Sequence, residues 1–591
     1  MCSLYSAVMS ADSAKPTQSP FEDAPAIAVN RRGVTWLSRT GEIESLSHRE
    51  AATRLREGVR PLVCHARATA TTLRAGNIRA FDVLELFAFA RPAVFCLPTA
   101  RGLAITLDLA LPETPEQEAE TLFVAAEKLL SDVQSAGPHA AGIAWSMARA
   151  GWVWGPAVLA RIGTGEAPHS SAITSAMQVW RRLSDWEDRP RETPPGNLPV
   201  SPVDALTRLG ILLGRTSESR PQQRRYAETV SAAFRPRDVE DEPNMVIAEA
   251  GTGVGKTLGY VAPASLWAER NESPVWISTY TRNLQRQLDT ELDRLYPDRA
   301  LKREHIVVRK GRENYVCLLN YEEALNRSRI AGGPDPIALG LVARWIEGSR
   351  DGDMVGGDFP AWLIHLFGRD STTDLTDTRG ECIYSACTHY GKCFIEHTVR
   401  RARHAEIVIA NHALVLIQAA LAGESETRPL RYVFDEAHHL FNAADSAFSA
   451  HLSGLETADL RRWLVGAEGG SRSRSRGLRA RMEELIAGNE RAKKALDDAL
   501  RAATVLPGPS WHQRIGDSRP DGPAERFLSL VRGQVYARSR DGDGPFDLEA
   551  EPHPLIDGVA EAAEELAGAL STIAQPLTAL MVALHKMLAD E

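Results

Sequence analysis

Three glycines and a lysine share one nonapeptide, Glu249-Ala250-Gly251-Thr252-Gly253-Val254-Gly255-Lys256-Thr257, and the combination suits one chemistry, the cradling of a polyphosphate. Glycines let a loop turn tightly enough for successive backbone N–H groups to face one anion, and a helix starting at once adds its N-terminal amides and dipole. Lys256 would reach the β- and γ-phosphates of ATP, the Thr257 hydroxyl would ligate Mg²⁺, and Ala250, Gly251, Thr252, Gly253, Val254 and Gly255 would line the phosphate path. A second group, Asp435-Glu436-Ala437-His438, supplies the acidic side of such a site. Asp435 would hold the Mg²⁺ shell, and Glu436 would orient and deprotonate the attacking water. His438 would link nucleotide state to the grip on a polymer. Either motif alone has an ordinary explanation as a Gly-rich turn or a polar helix start; the pair is far more specific.

A third group is sulfur. Of seven cysteines, Cys2, Cys64 and Cys96 are scattered, whereas Cys317 stands alone upstream of a C-x4-C-x5-C run formed by Cys382, Cys387 and Cys393. Seven cysteines in 591 residues are too few for a disulfide scaffold, so the group points to a metal centre. Zinc usually draws its ligands from two close cysteine pairs, and a lone first cysteine departs from that pattern. Spacing therefore favours a 4Fe–4S cluster over zinc. Arg309, Lys310, Arg312, Tyr315, Tyr384, His389, Tyr390, Lys392, Arg400, Arg401 and Arg403 interleave cations with rings there. That mixture fits single-stranded DNA, and a solvated charged surface would read the same way.

These groups need scaffolding. Met245-Val246-Ile247-Ala248 reads as a buried strand leading into the Gly-rich loop, with a helix from Leu258 to Leu266 behind it. Arg431-Tyr432-Val433-Phe434 reads as a strand delivering Asp435 to a sheet's ligand-binding end. Ser278-Thr279-Tyr280-Thr281 follows the strand Val275-Trp276-Ile277 and offers hydroxyls to a phosphate backbone. Gln223, in Arg220-Pro221-Gln222-Gln223, could offer its amide to an adenine edge. Residues 21–162 read as a small α/β domain. Residues 163–205, where prolines thicken, read as a linker, and the pattern after His439 is helical to the end. Arg472, Arg474, Arg476, Arg479 and Arg481 could touch a nucleic-acid backbone.

The composition, 43% hydrophobic and 25% charged with a net charge of −9, excludes fibrous and disordered classes and offers no overall pull on a polyanion. No uninterrupted apolar run reaches the roughly 18 residues of a membrane span. The segment Met1 to Pro20 lacks a secretory pattern, so the expected setting is cytoplasmic, with no membrane partner.

In chain order, Arg220 and Gln223, the Glu249 to Thr257 loop, Ser278-Thr279, Gly311-Arg312 with Tyr315 and Cys317, the three clustered cysteines, Val408-Ile409-Ala410-Asn411-His412-Ala413-Leu414 and Asp435-Glu436-Ala437-His438-His439-Leu440 resemble the DinG/XPD family of iron–sulfur superfamily 2 DNA helicases. The bacterial DinG branch is nearest, and the loop departs from the general phosphate-loop pattern by placing Ala250 first. The resemblance covers about residues 206–442. It implies a RecA-like P-loop domain (206–310 and 405–442), an iron–sulfur domain inserted at 311–404, a helical arch at 443–591, and 5′-to-3′ translocation on single-stranded DNA with duplex unwinding, the partners being single-stranded and branched DNA in the nucleoid. The N-terminal region resembles a decayed exonuclease of the DnaQ type. Of the about four carboxylates a two-metal nuclease needs, only Asp82 is evident. No later S/T-A-T or Q-x-x-G-R-x-x-R motif follows the D-E-A-H group, so the alternative expectation is a truncated ATP- and DNA-binding module that does not unwind. Met1 to Pro20 reads as a disordered lead.

Overall fold

The computed structural model describes residues 21–590 apart from 22, 164–168, 188–195, 215–219, 237–238, 240–241, 329–334, 370, 378–381, 422–430, 467, 469–476, 484 and 540–547. The N-terminal lead, Pro168, Pro190, Pro194, Pro195, Arg472, Arg474 and Arg476 therefore lie outside the described residues. The chain divides into two units, residues 1–329 with 334–448, and 330–333 with 449–591.

The first unit carries two sheets. Strands β1 (Ala26–Val29), β2 (Val34–Leu37), β3 (Ile43–Leu46), β4 (Leu62–Val63) and β5 (Phe81–Asp82) pair in the order β3-β2-β1-β4-β5. The first three run antiparallel, and β4 and β5 join parallel to β1. The β1–β2 turn is set by Asn30, whose Oδ1 accepts from the amides of Arg32 (2.8 Å) and Gly33 (3.1 Å), an Asx-type closure. The second sheet, β7 (Ile306–Val308), β8 (Ile407–Asn411), β6 (Val275–Thr279) and β9 (Arg431–Phe434) in that order, is wholly parallel. Its central strands are buried on both faces, which is why β6 and β8 read as near-continuous apolar runs. Helix Lys256–Asn271 packs on it through Val261, Ala264 and Trp267, all fully buried.

Two expectations are corrected here. The segment Met245 to Ala248 forms no strand. Val246 and Ala248 lean on the core, but Met245 and Ile247 are 77% and 89% exposed; the alternation is strand-like while the ladder hydrogen bonds that make a strand are missing. Residues 163–205 are not a plain linker either. Within them lie helix Ser170–Met177, a 3₁₀ turn Val179–Arg181 and the start of helix Pro202–Leu213.

One apolar core runs through residues far apart in the chain. Phe81, Leu103, Leu122, Ile143 and Trp154 share it with Tyr321, Leu339, Trp345 and Trp362. The N-terminal α/β region and the cysteine-bearing insert are thus one packed body, so the boundary expected at 162 separates sequence patterns and not cores, whereas the one expected at 311 parts this core from that of the second sheet.

The second unit is helical, as expected. Helix Val559–Asp590 buries Ile573, Leu580 and Ala583 among Leu464, Leu496, Ala503 and Leu506. Its stretch Val559–Ala589 is, by length and composition, apolar enough to cross a bilayer; Ser571, Thr572, Gln575 and Thr578 interrupt the run, which is how it escapes a search for unbroken apolar stretches.

Candidate functional site

Strands β6, β8 and β9 end side by side, and their carboxyl ends are where an open parallel sheet binds ligands. The Gly-rich loop lies at that end. Gly253 and Gly255 hold φ of +80° and +88°, conformations that cost an L side chain about 1–2 kcal/mol. A Cβ on Gly255 would also stand 2.3 Å from Gln223 Nε2, so this position needs glycine twice over. Gly251, Thr252 and Gly253 are exposed and Ala250, Val254 and Thr257 half-exposed. Helix Lys256–Asn271 starts from Gly255 with no side-chain cap, leaving its first amides for an anion.

Across the site β9 delivers Asp435, whose N–H donates to the Ser278 carbonyl at 2.8 Å. Glu436 follows with φ of +54°, ψ of +47°, a left-handed turn that an ordinary residue holds only when its surroundings require it. The turn points its carboxylate at the loop, and Lys256 Nζ donates to Glu436 Oε1 at 3.0 Å. The two acids are driven apart in acidity. Burial, then the Glu436 charge, pushes Asp435 above its usual range, while the Lys256 hydrogen bond holds Glu436 below its own. Buried Tyr260 lies between Thr257 and Asp435, and burial and the Asp435 charge keep its phenol protonated. The two expected Mg²⁺ ligands therefore flank one ring. His438 is 66% exposed with Nδ1 3.5 Å from Glu436 Oε2, at the open rim.

Three expectations resolve differently. Gln223 is 2% exposed and donates its amide to the Gly255 carbonyl at 2.8 Å, while Arg220 Nη1 donates to the Gly253 carbonyl at 2.9 Å. Both brace the phosphate loop, so Gln223 does not present its amide to a base edge here. Ser278 and Thr279 are fully buried and cannot meet a DNA backbone; a strand end so covered leaves only Tyr280 and Thr281 outside. Third, most of the interleaved cations and rings near the cysteines are engaged internally: Lys310 with Asp353, Arg312 with Asp377, His389 with Glu322 and Arg400 with the Tyr390 hydroxyl. Tyr384 is 58% exposed, yet the Arg312 guanidinium lies over its ring at 4.9 Å.

Sequence reasoning gave no role to His412. It is 1% exposed, and its Nδ1 lies 2.7 Å from the Ser278 hydroxyl. Burial holds it below the usual histidine range, while the backbone at Asp435 and Glu436 pulls the other way. Tyr280 stacks on His439 at 3.9 Å. The end of β6 and the D-E-A-H turn are thereby joined twice, once inside and once on the surface. The signal was available: a histidine immediately after the asparagine that ends a buried strand.

The four cysteines sit at turns and helix starts. Cys317 precedes helix Leu318–Arg327 and Cys393 precedes helix Phe394–His404. Backbone N–H groups of Leu319 and Asn320 face the Cys317 sulfur, those of Ile395 and Glu396 face Cys393, and that of His389 faces Cys387. Cys382 accepts from Arg312 Nη2 at 2.7 Å and from the Tyr384 amide at 3.4 Å. N–H groups aimed at sulfur are what a thiolate ligand requires. Burial pushes Cys393 up to about 11 and Cys317 higher still, so without a cation these groups stay neutral thiols. Among the described residues no three metal-ligating side chains converge closely enough to grip a single ion.

Asp82, the carboxylate that the exonuclease resemblance singled out, is fully buried and accepts from the amides of Ala66 (2.5 Å), Leu84 (2.9 Å) and His65 (3.3 Å). Its oxygens are spent on the backbone, fastening β5 and the helix Val83–Ala90 to the turn after β4.

No family model matches the chain. It is 32% identical over 255 residues to the ATP-dependent DNA helicase YoaA of Escherichia coli, covering 41% of this chain and 36% of that one. It is 30% identical over 253 residues to the ATP-dependent helicase DinG of Mycobacterium tuberculosis, covering 39% and 36%, and 26% identical over 239 residues to the 3'-5' exonuclease DinG of Bacillus subtilis, covering 40% and 24%. The chain thus spans about a third or less of the length of these relatives.

Proposed function

We propose, because over about two-fifths of its length this chain belongs to the DinG-like helicase family, that it binds Mg²⁺-ATP at the Gly-rich loop and couples ATP hydrolysis to movement on DNA. The observation that carries the reading is the meeting of Lys256 with Glu436, 180 residues apart in sequence, across the carboxyl end of one parallel sheet. Lys256 would exchange Glu436 for the γ-phosphate, Thr257 and Asp435 would hold Mg²⁺, and the freed Glu436 carboxylate would take the proton of the attacking water. The His412–Ser278 bond and the Tyr280–His439 stack would carry the state of that turn to the exposed end of β6, where DNA would be gripped. Unwinding 5′ to 3′, a repair or replication role, and single-stranded and branched DNA as substrates follow from the family resemblance, and a cytoplasmic setting from the lack of a secretory pattern in Met1 to Pro20.

The cysteines are proposed to hold a 4Fe–4S cluster. A single zinc at about 2.3 Å from each sulfur would draw all four to one point, whereas each corner of a cube takes one thiolate, and each sulfur here has its own N–H donor. When bound, the cluster would supply a rigid cross-link between the Cys317 helix start and the Cys382 to Cys393 turns. The test is DNA-stimulated ATP turnover with strand separation on a 5′-tailed duplex, compared with Lys256→Ala. Turnover that DNA does not stimulate, or that survives Lys256→Ala, overturns the assignment; stimulated turnover without strand separation reduces it to an ATP- and DNA-binding module.

A further inference from the structure

The stretch expected to be a linker closes directly on the cysteine loop. After the 3₁₀ turn Val179–Arg181 the chain runs over the turn that joins Cys387 to Cys393. The Trp186 amide donates to the Gly391 carbonyl at 2.8 Å and the Trp186 indole N–H to the Tyr390 carbonyl at 2.7 Å. The indole meets the Tyr390 ring edge-on at 5.3 Å, and the Arg400 guanidinium covers it at 3.9 Å. Just upstream, Trp180 meets buried His389 edge-on at 5.1 Å. Between them Arg182 is paired with Glu347, anchoring the strand of contacts to the insert's own helix Pro336–Gly348. A Cβ on Gly391 would stand 3.0 Å from Asp185 Oδ1, so the approach leaves little room.

We infer that residues 180–186 are a strap that fixes the turn between Cys387 and Cys393, making the N-terminal region a positioning element for the cysteine site. Two successive main-chain carbonyls of that turn are held from outside by one tryptophan. A turn so held cannot splay its flanking cysteines without first releasing those bonds. Trp186 is a positioning residue: it touches no sulfur and acts through Tyr390 and Gly391. The shared core of Trp154 and Tyr321 then explains why an exonuclease-like remnant with its carboxylate buried is retained in the fold, since it is the abutment from which the strap is stretched. The strap rests on the proposed cluster only for the identity of what the cysteines hold.

The experiment uses the full chain and maleimide labelling of each cysteine, quantified by peptide mass spectrometry, on protein as isolated and again after chelator removes bound metal. Trp186→Ala is expected to label Cys387 and Cys393 about tenfold faster than wild type in the second measurement, with Cys96, 2% exposed in the shared core, unchanged. Trp186→Phe keeps a ring and loses the indole donor, and should fall between them. Labelling of Cys387 and Cys393 equal to wild type in both variants overturns the strap, as does a rise of Cys96 in step with them, which would mark general unfolding. Iron measured on the same wild-type sample decides the cluster separately: iron-free protein with the labelling contrast intact refutes the cluster and keeps the strap.

Discussion

Lys256 Nζ donates to Glu436 Oε1 at 3.0 Å, so the cation proposed to meet a γ-phosphate and the carboxylate proposed as the base neutralise each other. Both side chains are about a third exposed, which places the pair among interactions worth about 1 kcal/mol or less. A polyphosphate carries enough charge to break it. Glu436→Gln is therefore expected to bind a fluorescent ATP analogue within a few-fold of wild type while losing roughly 10²–10⁴ in turnover, the range for a general base. Lys256→Ala should lose the binding itself, by about tenfold or more. Titration of both variants beside single-turnover hydrolysis checks the split.

Replacing His412 tests the link between β6 and the D-E-A-H turn. His412→Ala strands the Ser278 hydroxyl in a fully buried position, at a cost of about 1–3 kcal/mol, read as a lowered midpoint in urea. In the assay the variant should retain basal ATP turnover and lose most of its stimulation by single-stranded DNA. Loss of both in equal proportion would mean that His412 only holds the fold together.

The same histidine gives a pH dependence. Its folded-state pKa is lowered by burial, so below about 6.5 the unfolded chain takes up a proton that the folded one resists. Its contribution to stability is fully present above that value and is lost as pH falls through it. Urea midpoints of wild type should drop between pH 7 and pH 5.5, and those of His412→Gln should drop less.

Gly255→Ala sets two costs against each other. The Cβ would collide with the Gln223 amide, and φ of +88° is strained for alanine. Gly255→Ala is expected to abolish nucleotide binding. Adding Gln223→Ala clears the space and leaves the strain, so the double variant should recover only part of it, with about 1–2 kcal/mol still lost.

Asp82→Ala removes the acceptor of three backbone amides. The expected loss is about 3 kcal/mol of stability, followed by thermal unfolding, with no Mg²⁺-dependent exonuclease activity on 3′-labelled DNA in either wild type or variant. Nuclease activity in the wild type that disappears in the variant would return Asp82 to catalysis.

The meeting of the charged groups was far more legible than its setting. Lys256, Asp435 and Glu436 were placed by local pattern, a strand end and a glycine turn, and they meet in space. The partners of Gln223 and of His412 were not readable, because each depends on a contact between distant parts of the chain that no periodicity encodes, although the place of His412 at a strand end was a local signal. The missing strand at Met245 to Ala248 has the right alternation, and only the presence of a neighbour makes alternation into a ladder. Residues 163–205 misled in the opposite direction. Their prolines and polar residues do break the chain's regularity, yet Trp180 and Trp186 find their partners in His389 and Tyr390, beyond the reach of local composition.

The shared core of the N-terminal region and the cysteine insert also sets an order of events during synthesis. The surfaces of Phe81, Leu122 and Trp154 leave the ribosome well before Phe394, which closes the same core. At about 5–20 residues per second the early part of the chain waits on the order of ten seconds or more with apolar surface uncovered, while β6 and β7 of the nucleotide-site sheet are still being made. Such a chain is exposed to aggregation while nascent and has reason to fold late and all at once.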